Sequence, residues 1–92
     1  MQEKPYSVYL LSCADGTLYC GMAKDVQKRL LAHQSGKGAK YTRSRLPVTL
    51  CYVEACADKS AALKREYQIK QLSCAQKLLL IESAALPLSQ ND

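Results

Sequence analysis

The sequence has no long apolar run, no Trp, no Phe and a single His among its 92 residues. Its apolar stretches fall far short of the roughly 20 residues needed to span a bilayer, so no membrane role is expected. The N-terminal MQEKPYSVYLL lacks a basic region, a long apolar core and a small-residue cleavage site, so no secretory signal is expected either. Cys13, Cys20, Cys51, Cys56 and Cys74 form no CxxC or CxH pairing. An odd number of cysteines without metal-ligand spacing points to reduced thiols in a cytoplasmic protein and away from a zinc site. Internal repeats and low-complexity segments are missing. The length leaves no room for a second hydrophobic core, so a single domain is expected over residues 1–84, with a polar tail at 85–92.

Cations are in excess. Thirteen Lys and Arg against eight Asp and Glu give a net charge of +5, which favours a polyanionic partner. Four of these cations, Lys37, Lys40, Arg43 and Arg45, fall with Tyr41 in the aperiodic segment SGKGAKYTRSRLP. Its two glycines read as a mobile loop. A solvated charge run is the plain reading of such a segment, and nucleic-acid binding is the functional one.

Tyr6 to Cys13 mixes β-branched, aromatic and aliphatic residues, and Thr17 to Met22 resumes the pattern after Ala14-Asp15-Gly16. These are the marks of a hairpin. A two-residue Asp-Gly turn would put Tyr9 and Tyr19 on opposite faces. A three-residue loop with Gly16 in the left-handed region pairs Tyr9 with Gly21 and Leu11 with Tyr19, so both tyrosines share a face. The three-residue loop is the expectation. Asp25 is placed to cap a short helix from Val26 to Gln34, on which Val26, Arg29, Leu30 and His33 occupy an arc of about 100 degrees. Val48 to Ala55 reads as a third strand, Asp58 caps a helix from Lys59 to about Leu72, and Ser73–Gln76 forms a capping box for a last helix ending near Ala84. The order β-β-α-β-α-α predicts an α+β domain with a small three-stranded antiparallel sheet flanked by helices.

Glu66 stands out on the helix from Lys59 to about Leu72, because Ala62, Leu63 and Ile69 lie within roughly 60 degrees of it. A carboxylate in an apolar arc needs a positive partner or a metal. An ion pair with Lys59, Lys70 or Arg29 is the plain solution. Tyr6, Tyr52 and Tyr67 read as packing residues.

The set Ser7-Val8-Tyr9, nine residues, Tyr19-Cys20-Gly21, then Arg29, His33 and Glu66 resembles the GIY-YIG nuclease domain over about residues 5 to 82. The likeness is greatest to the small single-domain bacterial branch, where a GKGAKYT-like segment also follows the histidine. Ser7 stands where the family name has Gly, Cys20 where it has Ile, and Met22 where repair-type members have Lys. The resemblance implies an endonuclease hydrolysing phosphodiester bonds with one Mg²⁺ or Mn²⁺ ion, on DNA rather than RNA, in repair or recombination. It casts Tyr19 as the base for the attacking water, with Tyr9 hydrogen-bonding the nucleophile or phosphate. Arg29 would then grip phosphate oxygens, His33 would serve as a phosphate contact or proton relay, and Glu66 would be the metal ligand. Gly21 would be structural, and Lys37, Lys40, Tyr41, Arg43 and Arg45 would contact nucleic acid. A monomer or weak homodimer is expected. The alternative is a nucleic-acid binding module on the same scaffold with little or no cleavage.

Overall fold

Strand β1 (Tyr6–Ser12) lies in the middle of an antiparallel sheet, between β2 (Leu18–Ala23) and β3 (Thr49–Cys56). The computed structural model describes residues 5–90, with side chains through 84. Helices α1 (Val26–Gln34), α2 (Lys40–Arg43), α3 (Lys59–Lys70) and α4 (Cys74–Gln90) flank the sheet, so the α+β architecture is the one expected.

The hairpin between β1 and β2 sets which side chains share a face. Gly16 N–H donates to Cys13 O at 3.0 Å, and Cys13 N–H donates to Thr17 O at 2.9 Å. Gly16 has φ +85°, a conformation that costs a residue with a Cβ but not glycine. This is the three-residue loop, and Asp15 braces it by accepting from Thr17 N at 3.1 Å and from Thr17 Oγ1 at 2.6 Å. The resulting register pairs Tyr9 with Gly21 and Leu11 with Tyr19, so the two tyrosines stand on one face.

Helical layers cover both faces of β1, which explains why Val8, Tyr9, Leu10 and Leu11 are all buried without polar alternation. Val8, Leu10 and Cys20 pack with Ala62 and Ile69 of α3 and with Leu80 and Ile81 of α4. On the other face Tyr9, Leu11 and Tyr19 pack with Val26 and Leu30 of α1 and with Val48.

The helix starts follow the capping residues. Asp25 Oδ1 accepts from Lys28 N at 3.1 Å, and Asp58 Oδ1 accepts from Ala61 N at 2.8 Å. Ser73 and Gln76 exchange both bonds of a capping box, at 2.8 and 3.2 Å. Two elements differ from expectation. The basic loop contains the one-turn helix α2, which is too short for any hydrophobic period to announce. Helix α4 continues to Gln90, so backbone at 85–90 is helical where a tail was expected. Asn91 and Asp92 of that tail lie outside the described residues.

Candidate active site

Tyr9 and His33 come together across the buried face between β1 and α1. Tyr9 Oη lies 2.9 Å from His33 Nε2, and the two rings meet edge-on with centroids 5.9 Å apart. His33 is fully buried and Tyr9 is 2 % exposed, so this hydrogen bond is shielded from bulk solvent. Burial pushes the Tyr9 phenol above its usual range, while the guanidinium of Arg29 works against that shift. The His33 imidazole is held below its usual pKa, first by burial and then by the Arg29 charge. Arg29, exposed on α1, thus acts on both members of the pair from the solvent side.

Tyr19 is held by its ring. It packs edge-on against His33 at 5.3 Å and stacks on Tyr41 at 5.8 Å with 30° between the planes. It is half-buried, and so the more accessible of the two tyrosines. Gly21 makes the arrangement possible. A Cβ there would fall 2.6 Å from Tyr9 Oη and 3.2 Å from Tyr19 Cε2, so a side chain at position 21 would displace the tyrosine that faces it across the ladder.

The basic loop closes over the histidine from the other side. Thr42 of α2 is fully buried, with Oγ1 2.8 Å from His33 Nδ1 and 3.0 Å from Ala39 O. Gly38 lies flat against the imidazole, where a Cβ would come within 2.8 Å of His33 Cγ. Neither Thr42 nor Gly38 drew notice as a site residue in the sequence. Both fall in the GKGAKYT segment, where nothing local to the sequence marks a contact with His33.

The loop cations are not equivalent. Arg45 donates from Nε to Asp15 Oδ2 at 2.9 Å and lies 3.9 Å from the Tyr41 ring centroid, so it fastens α2 to the hairpin turn. Tyr41, 37 % exposed, is engaged by Arg45 and Tyr19. Lys37, Lys40 and Arg43 are exposed. A cleft of about 410 Å³ lined by Ala23, Lys24, Asp25, Lys28, Arg29 and Ala32 adds Lys24 and Lys28 to the cations beside Arg29. These two lysines fall in no motif of the sequence, so only the folded chain places them beside Arg29.

Glu66 occupies a different position. It shares the sheet-facing stripe of α3 with Ala62 and Ile69, on the Cys20 side of the sheet, while Tyr9, Tyr19 and His33 lie on the opposite side. Its charge is felt by Cys20, whose thiol is pushed up to about 11, mainly by burial and next by Glu66. Lys70 Nζ stands 3.4 Å from Glu66 Oε2, one turn along α3, which is one of the ion pairs expected for it. The Glu66 side chain is 18 % exposed and the Lys70 side chain 52 % exposed. Strand β2 is an edge of the sheet, so the Glu66 and Tyr19 sides are separated only by that strand. Among the described residues no three His, Cys, Asp or Glu side chains converge as a metal cage. One carboxylate beside a sheet edge still fits Mg²⁺, which keeps several waters and takes its remaining ligands from phosphate oxygens.

A short hairpin and helix thus bring two tyrosines, an arginine and a histidine to one face of a three-stranded sheet. A family model described as the GIY-YIG catalytic domain matches residues 5–78, and the chain belongs to that family. It is 56 % identical over 72 residues to a UPF0213 protein of Halobacterium salinarum, covering 78 % of this chain and 94 % of the relative. A UPF0213 protein of Staphylococcus saprophyticus is 54 % identical over 79 residues, covering 86 % of this chain and 95 % of the relative. Among solved structures, the solution structure of a protein from E. faecalis superposes with a TM-score of 0.63 at 36 % identity, covering 92 % of this chain and 91 % of that one. That of a UPF0213 protein of Bacillus halodurans gives 0.56 at 44 % identity, covering 85 % and 83 %. Membership of a nuclease family implies a nucleic-acid substrate, and no described helix is long and apolar enough to cross a membrane.

Proposed function

We propose that the protein is a metal-dependent endonuclease that hydrolyses phosphodiester bonds, in DNA rather than RNA, and that the Tyr9–His33 pair takes the proton of the attacking water. The 2.9 Å contact between Tyr9 Oη and His33 Nε2 carries this reading. A neutral phenol accepts a proton only if it can pass its own onward, and Tyr9 has an acceptor built in. In the proposed step a water carried in with the phosphate meets Tyr9 at the 2 % of its surface left open; the water oxygen bonds to phosphorus while its proton moves to Tyr9 Oη. The Tyr9 proton moves to His33 Nε2, the opposite P–O bond breaks, and the leaving oxygen takes a proton from solvent. Burial disfavours both charged partners in the resting protein, so transfer occurs only as negative charge builds on the phosphoryl group beside Arg29. This assigns Tyr9 the base role that the family resemblance gave to Tyr19, and keeps His33 as the proton relay. Tyr19, the more accessible of the two residues, is left to orient the water or a phosphate oxygen.

Glu66 would hold the Mg²⁺ or Mn²⁺ ion, whose chemistry is charge neutralisation at the phosphoryl oxygens. Lys37, Lys40 and Arg43 on the loop, with Lys24 and Lys28 in the cleft beside Arg29, would meet the nucleic-acid backbone. Arg45 and Tyr41 would hold the loop in place for that contact.

Cleavage of duplex, single-stranded and branched DNA with Mg²⁺ or Mn²⁺ tests the proposal. Tyr9→Phe, Tyr19→Phe and Glu66→Ala should each lose most activity. If all three cut as well as the parent, the activity belongs to a contaminant. One observation favours a second reading, a nucleic-acid binding module that does not cut: the Glu66 carboxylate already has Lys70 for a partner. Salt-dependent binding without cleavage under either metal is its signature.

A further inference from the structure

Thr42 is a fully buried residue in an otherwise exposed, basic turn, between Tyr41 and Arg43, both solvent-facing. Its hydroxyl has one proton and two close partners, Ala39 O at 3.0 Å and His33 Nδ1 at 2.8 Å. The carbonyl can only accept, so a hydroxyl that satisfies both contacts donates to Ala39 O and accepts from His33 Nδ1–H. Hydrogen positions follow here from this balance of donors and acceptors. With the proton on Nδ1, the Nε2 lone pair faces Tyr9 Oη and accepts the phenol proton, so the three side-chain donors Tyr9 Oη–H, His33 Nδ1–H and Thr42 Oγ1–H each have one acceptor. The Ala39 N–H, aimed at Nδ1 from 3.4 Å, is the one donor this tautomer leaves unmatched, and it is the longest of these contacts. Were the proton on Nε2 instead, Thr42 would have to turn its hydroxyl to Nδ1 and give up Ala39 O. Gly38 removes the other escape, since it lies against the ring and leaves the imidazole no space to tilt toward the loop.

We propose that Thr42 is a positioning residue that holds His33 in the Nδ1–H tautomer, so that Nε2 stays free to accept the proton of Tyr9. The role rests on the reading of Tyr9 and His33 as the proton-accepting pair, but the tautomer itself can be measured without any cleavage. Its physical basis is that the hydrogen bond made by one imidazole nitrogen decides which form the other presents. The basic loop thereby does more than carry charge: it reaches back across the helix and fixes the protonation pattern of a residue it follows in sequence.

His33 is the only histidine in the chain, so its ring ¹⁵N resonances can be read directly by long-range ¹H–¹⁵N correlation in uniformly labelled protein. At a pH where the ring is neutral, the parent should show the Nδ1–H pattern. Thr42→Val, of nearly the same shape, should lose it or show a mixture. It should also lower kcat roughly ten- to hundredfold, the usual cost of removing an orienting partner, with KM nearly unchanged. Thr42→Ser keeps the hydroxyl and should restore both the tautomer and the rate. A parent spectrum showing Nε2–H overturns the proposal whatever the activity, and so does a Thr42→Val spectrum identical to the parent's. Should Thr42→Val fail to fold, the parent and Thr42→Ser spectra decide. A parent that cuts no substrate but shows a Thr42-dependent Nδ1–H tautomer overturns the nuclease reading while leaving the tautomer control standing.

Discussion

Gly21 lies directly across the ladder from Tyr9, and a methyl group at position 21 would overlap the Tyr9 hydroxyl at 2.6 Å. The neighbour at risk is a buried ring already tied to His33, so it cannot swing aside without breaking that bond. Gly21→Ala should therefore destabilise the protein by about 1–3 kcal/mol, the usual cost of overpacking, and remove activity together with it. Urea denaturation should show a lower midpoint at an unchanged m-value. A variant as stable and active as the parent would mean that Tyr9 has more freedom than this packing allows.

The ion pair on α3 bears on metal binding. An exposed lysine one turn from a carboxylate contributes about 0.3–0.5 kcal/mol, so Lys70→Ala should barely change stability. It should strengthen Mn²⁺ binding by removing a competitor for Glu66. Paramagnetic broadening of amide signals by Mn²⁺ should centre on residues near Glu66 in the parent, grow in Lys70→Ala and vanish in Glu66→Gln. Broadening that survives Glu66→Gln would place the metal elsewhere.

Acid should weaken the fold in a window set by one residue. The folded His33 pKa is depressed by burial and by Arg29, so the unfolded chain binds the proton more readily. Its contribution is fully present above the unfolded value of about 6.5 and is lost as pH falls from there toward the folded pKa. Because the chain has a single histidine, unfolding free energy measured between pH 8 and 5 should decline in the parent and be flatter in His33→Gln. An equal decline in both would assign it to other groups.

The thiols should separate by environment. Cys74 is exposed, whereas Cys20 is buried with its thiol pushed up to about 11. Iodoacetamide at pH 8 should alkylate Cys74 quickly and Cys20 only after denaturation, since the thiolate is the reactive form. Peptide mapping by mass spectrometry reads both. Comparable rates would show that α3 lifts off the sheet in the native protein.

Much of this was legible in the sequence because local chemistry decided it. Asp15-Gly16 specified a loop length that put Tyr9 and Tyr19 on one face, and Asp25, Asp58 and the Ser73–Gln76 box marked three helix starts where they occur. The part that was not legible depends on distance. Which side of the sheet α3 covers, and so where Glu66 points, is settled by packing between elements and leaves no periodic trace in α3 itself. The contact of Thr42 with His33 likewise requires the intervening loop to close, and a threonine among lysines and arginines looks like any other polar loop residue. Tyr41 and Arg45 looked free for a ligand, yet they are engaged with Tyr19 and Asp15.

The central place of β1 has a mechanical consequence. Tyr9 sits mid-strand between Gly21 of β2 and Val53 of β3, and its sequence neighbours Val8 and Leu10 are anchored in the opposite core. The phenol therefore belongs to the part of the molecule that opens last, at the cost of global unfolding. Any adjustment to an incoming strand of nucleic acid must come from the pieces around it: the edge strand β2 with Tyr19, and the α2 segment held by Arg45. The protein would meet its substrate as an anvil with one yielding rim.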